Sequence, residues 1–137
     1  MKLLAYEVDK RSFLGVLNED ETWVYPVSAA GMEYRSMKDL IREAGPSEME
    51  MLDYISKKMP GDVTGAASVE EIKVVSPIAE PDQDIICLGI NYMDHAKESA
   101  RFKKEEFSKP EKAIYFSKRV NRTNDPDGII PAHKNLT

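Results

Sequence analysis

The chain contains one cysteine, two histidines and one tryptophan among 137 residues. A lone cysteine, Cys87, excludes any disulfide within the chain and fits a reducing compartment. There is no basic excess. Nineteen Lys and Arg stand against 24 Asp and Glu, for a net charge of −5, and the cations are scattered along the chain. That argues against nucleic acid as a partner. No apolar run approaches the ~20 residues of a membrane-spanning helix. The opening residues, Met1 to Glu7, turn acidic too early for a secretory signal. A cytoplasmic protein is expected, with neither nucleic acid nor membrane as a partner.

What is present reads as a globular chain of one domain or one and a half. Residues 2–8 and 13–17 alternate as strands, with Asp9-Lys10-Arg11-Ser12 as the turn, and residues 22–27 form a third strand. On the third, Trp23 and Tyr25 share one face and Val24 takes the other. The aromatic pair is expected to pack against a helix. Ser36 caps a short helix whose apolar side is Met37, Leu40 and Ile41, and Gly45-Pro46 ends it. Ser47-Glu48-Met49-Glu50 reads as a capping box for a second helix reaching about Met59, with Met49, Leu52, Ile55 and Met59 as its buried stripe. Pro60-Gly61-Asp62 stops it, and residues 61–68 read as a connection. Residues 72–75 form a strand and 76–81 an extended hinge. The expected division is a small amino-terminal α+β domain at 1–79, an antiparallel sheet with two helices, and a second domain at 80–137.

The most informative stretch opens that second part. Residues 85–88 form a continuous apolar run that reads as a buried strand, with Cys87 as a small core side chain. Gly89 allows a tight turn or a close approach of backbone to ligand. Asn91 fits the N-cap of a helix through Glu98. On it, His95 and Glu98 are three apart and share a face. A carboxylate beside an imidazole fixes its tautomer and raises its basicity, which is what a general base needs. The same pair also occurs on solvated helix faces, although the strand–glycine–helix setting favours a site. The charged residues from Glu98 to Lys112 read either as a solvated segment or as a lid over substrate. Residues 113–117 form a strand ending at Lys118, which is either an exposed terminal lysine or a partner for a substrate carboxylate or enolate. Asn124-Asp125-Pro126-Asp127-Gly128 is a turn and needs no cation to explain its two aspartates. His133 reads as an ordinary loop histidine.

Gly89-Ile90-Asn91-Tyr92-Met93-Asp94-His95, with Glu98 after it, resembles the G-x-N-Y-x-x-H-x-x-E signature of the fumarylacetoacetate hydrolase family. Residues 110–118 are similar to that family's next strand with its terminal lysine, and Asp127-Gly128-Ile129-Ile130-Pro131 resembles the turn and strand that follow. The resemblance covers residues 72–137; Arg119 stands where the family usually has proline. It implies that 80–137 begins a mixed β-roll, truncated here. It also implies a metal-dependent enzyme, using Mg2+ or Mn2+, that acts on acylpyruvate-like or 2-oxo acid substrates. His95 oriented by Glu98 would move a proton, Lys118 would stabilise negative charge, and Asn91 and Tyr92 would contact substrate. Carbon–carbon hydrolysis, decarboxylation and keto–enol isomerisation of a ring-opened aromatic catabolite all run through an enolate, so these residues do not choose among them. The family holds its metal with an E-x-E pair and a further aspartate. Residues 131–137 contain no acid, so the chain is expected to supply no metal ligand and to be inactive alone. The alternative is a non-catalytic fragment or pseudoenzyme serving as a binding or assembly unit. An open sheet edge also leads us to expect a homodimer.

Overall fold

The computed structural model describes residues 1–89 and 112–132. The chain divides into two compact units. One is Met1–Ala79 together with the described residues from Thr123 onward, and the other is Glu80–Arg122. The division read from the sequence, 1–79 and 80–137, makes no provision for that return to the first unit.

The first unit is α+β. Its strands are β1 (Leu3–Val8), β2 (Arg11–Leu17), β3 (Trp23–Pro26), β4 (Ala67–Ser68) and β5 (Lys73–Val75). They form one antiparallel sheet in the order β4-β3-β2-β1-β5. The β1–β2 turn is tighter than the four residues expected. Val8 pairs with Arg11, and Asp9 and Lys10 alone turn the chain, both at positive φ (49° and 64°). Two left-handed residues match the right-handed twist of the flanking strands.

Period-two alternation then sorts the side chains. Val16 and Tyr25 lie on one face, over Met37, Leu40, Leu52 and Ile55 from the two helices. Leu4, Tyr6 and Val24 lie on the other. Trp23 packs with the helical cluster, as the aromatic spacing predicts. The Tyr25 hydroxyl donates to the Lys58 carbonyl at 2.7 Å. Burial raises its phenol pKa, and Asp20 and Asp62 add to the rise.

Helix α1 (Met37–Glu43) starts where Ser36 Oγ accepts from the Asp39 amide at 3.2 Å. Met37 and Leu40 are buried, but Ile41 is 61% exposed, because the position after a buried one is rotated about 100° away on a helix. Helix α2 (Pro46–Ser56) begins two residues earlier than the expected box, whose N-cap is Ser47. Gly45 is its N-cap, Pro46 occupies the first helical position, where its missing N–H costs nothing, and the Glu48 carboxylate accepts from Gly45 N–H at 3.1 Å. Leu52 and Ile55 are buried as expected. Met59 is 71% exposed, since the helix stops at Ser56 and the stripe loses its phase.

The second unit holds β6 (Ile85–Gly89) and β7 (Ile114–Lys118), an antiparallel pair. The expected strand forms but is not buried. Ile86 is 75% exposed, Ile85 and Leu88 are exposed too, and Cys87 is half-buried. Among the described residues of this unit, the two-stranded ribbon has no second layer to pack against. No helix among the described residues is long and apolar enough to cross a membrane.

Candidate functional site

The ribbon fixes where two parts of the predicted site begin. Gly89 is the last residue of β6 and pairs with Ile114; Lys118 is the last residue of β7 and pairs with Ile85. Gly89 therefore continues the strand rather than turning it, and a methyl group added there would meet the Ile114 side chain at an ordinary 3.5 Å. Opposed residues of an antiparallel pair share a face. Ile85, Cys87, Ile114, Phe116 and Lys118 lie on one face, and Ile86, Leu88, Tyr115 and Ser117 on the other. Lys118 is exposed. Because Gly89 and Lys118 stand at opposite ends of a five-pair ladder, about four steps of ~3.4 Å separate them along the ribbon. Asn91, Tyr92, His95 and Glu98, the lid reading of the segment after them, and His133 lie outside the described residues.

Sequence reasoning missed a polar latch in the first unit. Thr123 N–H donates to the Ala79 carbonyl at 2.8 Å. Its hydroxyl donates to the Ile78 carbonyl at 2.8 Å, and Ser76 Oγ lies within hydrogen-bond distance of that same hydroxyl. Thr123 has one hydroxyl proton and gives it to Ile78, so Ser76 is the donor between the two hydroxyls. Asp125 Oδ1 accepts from Ser76 N–H at 2.9 Å, and its Oδ2 stands 3.5 Å from Lys73 Nζ. Lys73 also pairs with Glu7 at 3.6 Å, across the β1–β5 register. The one local signal was an aspartate at the start of a turn; nothing nearby announced partners some fifty positions earlier.

The turn itself forms as read. Gly128 N–H donates to the Asp125 carbonyl at 3.0 Å, and Asp127 takes φ 60°. Among the described residues no three His, Cys, Asp or Glu side chains cluster as a metal would require. The magnesium-type group that the family resemblance implies needs several hard oxygen ligands on one point. The first unit also has a cavity of about 170 Å³ lined in part by Lys2, Glu21, Asp53 and Lys57. Those four charges are paired with one another, Lys2 with Glu21 at 2.5 Å and Lys57 with Asp53 at 2.6 Å.

No protein-family model matches the chain. Along its whole length it is similar to the oxaloacetate tautomerase YisK of Bacillus subtilis, with 29% identity over 147 aligned positions covering 47% of that protein. It is also similar to the uncharacterized protein SERP0556 of Staphylococcus epidermidis, with 26% identity over 148 positions and 46% of that protein covered. The chain thus spans about half the length of the curated relatives it matches, and it is a distant relative of an enzyme that acts on a 2-oxo acid.

Proposed function

We propose that this chain is part of a fumarylacetoacetate hydrolase-type enzyme that interconverts the keto and enol forms of a 2-oxo acid such as oxaloacetate. The observation that carries the reading is the alignment of all of the chain with a protein named for that tautomerisation. The G-x-N-Y-x-x-H-x-x-E stretch directly after β6 supports it. Of the three outcomes the resemblance leaves open, isomerisation needs the least equipment. One base removes a proton from the carbon beside the carbonyl, and a proton is delivered to the carbonyl oxygen. No bond to carbon other than C–H is broken and no water is consumed.

In this reading His95, held by Glu98, carries the proton. Lys118 offsets negative charge on the enolate or the substrate carboxylate, and Asn91 and Tyr92 orient the substrate. The reach of the chain permits this. Gly89 and Lys118 lie some 13–14 Å apart along the ribbon, and the six residues from Gly89 to His95 span up to ~20 Å when extended. The magnesium or manganese ion of the family would polarise the 2-oxo acid. Among the described residues no three His, Cys, Asp or Glu side chains gather to hold it, and no step here is routed through a metal. Association of two copies belongs to the same proposal and is supported by the ribbon's exposed apolar side chains.

The test is the decay of enol oxaloacetate absorbance in the ultraviolet, catalysed by the product of the complete gene, compared with its His95→Ala and Glu98→Gln variants. Loss of His95 is expected to lower the rate by ~10²–10⁴, with a smaller loss for Glu98→Gln. An unchanged rate in His95→Ala would remove the imidazole from the mechanism. If the parent protein acts on neither oxaloacetate nor acylpyruvates, the binding or assembly reading takes its place.

A further inference from the structure

The described residues from Thr123 onward belong to the first unit, although in sequence the whole of Glu80–Arg122 separates them from it. What they meet there is a surface held rigid by other means. Lys73 and Val75 are registered against Glu7 and Ala5 of β1, and Ile78 packs on the helical core cluster. The ladder also decides which way the backbone of β5 points. Leu17 N–H donates to the Lys2 carbonyl, so the even-numbered residues of β1 bond to β2, and the odd-numbered Ala5 and Glu7 bond to β5. Val75 therefore turns its N–H inward to β1, and the next one, on Ser76, points outward from the edge of the sheet.

An outward N–H on an edge strand is open unless the chain brings it an acceptor. Asp125 Oδ1 is that acceptor, at 2.9 Å. Pro77 has no N–H to offer. Beyond it the Ile78 carbonyl accepts the Thr123 hydroxyl and the Ala79 carbonyl accepts the Thr123 N–H, each at 2.8 Å. The Ser76 hydroxyl bonds to that of Thr123. Lys73 Nζ stands between two carboxylates, 3.6 Å from Glu7 and 3.5 Å from Asp125. Residues 73–79 thus present an ammonium, an N–H, a hydroxyl and two carbonyls to a threonine and to the aspartate two positions after it.

We propose that residues 73–79 are an intramolecular docking site for the chain that returns at Thr123, and that the first unit reaches its full stability only with that segment bound. Continuity of the chain through Glu80–Arg122 is then a tether that keeps the segment at high local concentration. Cutting the tether turns one folding unit into two associating pieces.

The test makes that cut. A specific protease site is inserted between Gln83 and Asp84, both exposed, and urea unfolding is followed before and after cleavage. The lone Trp23 stays on the amino-terminal piece and reports on the first unit. In the uncut protein Thr123→Val keeps the shape and the backbone N–H but removes both hydroxyl hydrogen bonds. It should lower the folding equilibrium constant of the first unit roughly five- to a hundredfold, and Thr123→Ser should restore most of the loss. Once cut, the parent should unfold at a lower midpoint that climbs with protein concentration more steeply than in the uncut protein, because the segment must be captured from solution. Thr123→Val and Asp125→Ala should weaken that dependence. Both substitutions lie on the carboxyl-terminal piece, so β1 to β5 and the two helices are the same throughout. Parental midpoints in uncut Thr123→Val and Asp125→Ala overturn the docking site. A cut parent whose midpoint follows concentration no more than the uncut protein does so too, as does a dependence that both substitutions leave unchanged. No turnover is read, so a parent protein without tautomerase activity leaves this test intact.

Discussion

Gly15→Ala should destabilise the first unit, and the structure says by how much. Gly15 sits within β2, opposite Leu4 on one side and Pro26 on the other. A methyl group there would overlap Val24 Cγ2, meet the Tyr6 ring at 2.8 Å and come within 3.1 Å of the Tyr25 carbonyl oxygen. Val24 and Tyr6 are both buried, so neither can swing aside. Overpacking of this kind costs about 1–3 kcal/mol. Against it stands the ~0.4–1 kcal/mol gained when alanine restricts the unfolded chain. The balance is a loss of roughly 1–2 kcal/mol from a total of about 5–15 kcal/mol. Gly61 is the control. It lies in the short Pro60–Asp62 helical turn with nothing within 4 Å of the added carbon, so Gly61→Ala should stabilise by ~0.4–1 kcal/mol. Urea titrations followed by Trp23 fluorescence report on the same sheet. If Gly15→Ala proves as stable as Gly61→Ala, the close packing of Gly15 against Val24 and Tyr6 is wrong.

Two further outcomes can be checked on the same unit. Tyr25→Phe removes the hydroxyl bonded to the Lys58 carbonyl and should cost ~1 kcal/mol, read as a lower urea midpoint at unchanged slope; no change would mean that water replaces the bond freely. Glu48 is held below the ordinary carboxylate range, first by the Ser47 hydroxyl and then by backbone donors that include Gly45 N–H. A lowered folded pKa contributes stability that is complete above the unfolded value of ~4.3 and is lost as pH falls through the folded one. Thermal stability should therefore drop on acidification below about pH 4, and Glu48→Gln should flatten that drop; an identical acid slope in the variant would contradict the assignment.

Much of the first unit was legible from short-range pattern. Alternation placed Trp23 and Tyr25 against the helices and Val24 on the other face, and Ser36 marked a helix start through its own side chain. The misreadings have physical causes. Asp9-Lys10 carries no Asn-Gly signal, so a two-residue left-handed turn was not expected there. Ser47 and Glu50 match a capping box in spelling, but proline at position 46 starts the helix earlier and makes Glu48 the residue that reaches back. Of the predicted site, the strand carrying Lys118 and the strand leading to Gly89 were legible. The latch was not, because Ser76 and Thr123 share neither a periodic pattern nor a local turn.

The exposure of Lys118 bears directly on what it can do. An exposed ammonium interacts with a nearby charge through water and contributes little, whereas the role proposed for it depends on a site from which water is largely excluded. Its neighbours on the same face, Ile85, Cys87, Ile114 and Phe116, are apolar. An apolar surround strengthens a charge once something covers it and does nothing for it in open water. The same ladder that brings Lys118 beside Ile85 and Cys87 of β6 would, one step out of register, leave it beside Ile86 and Leu88. Apolarity is thus alike on the two faces and cannot be what selects the lysine's place.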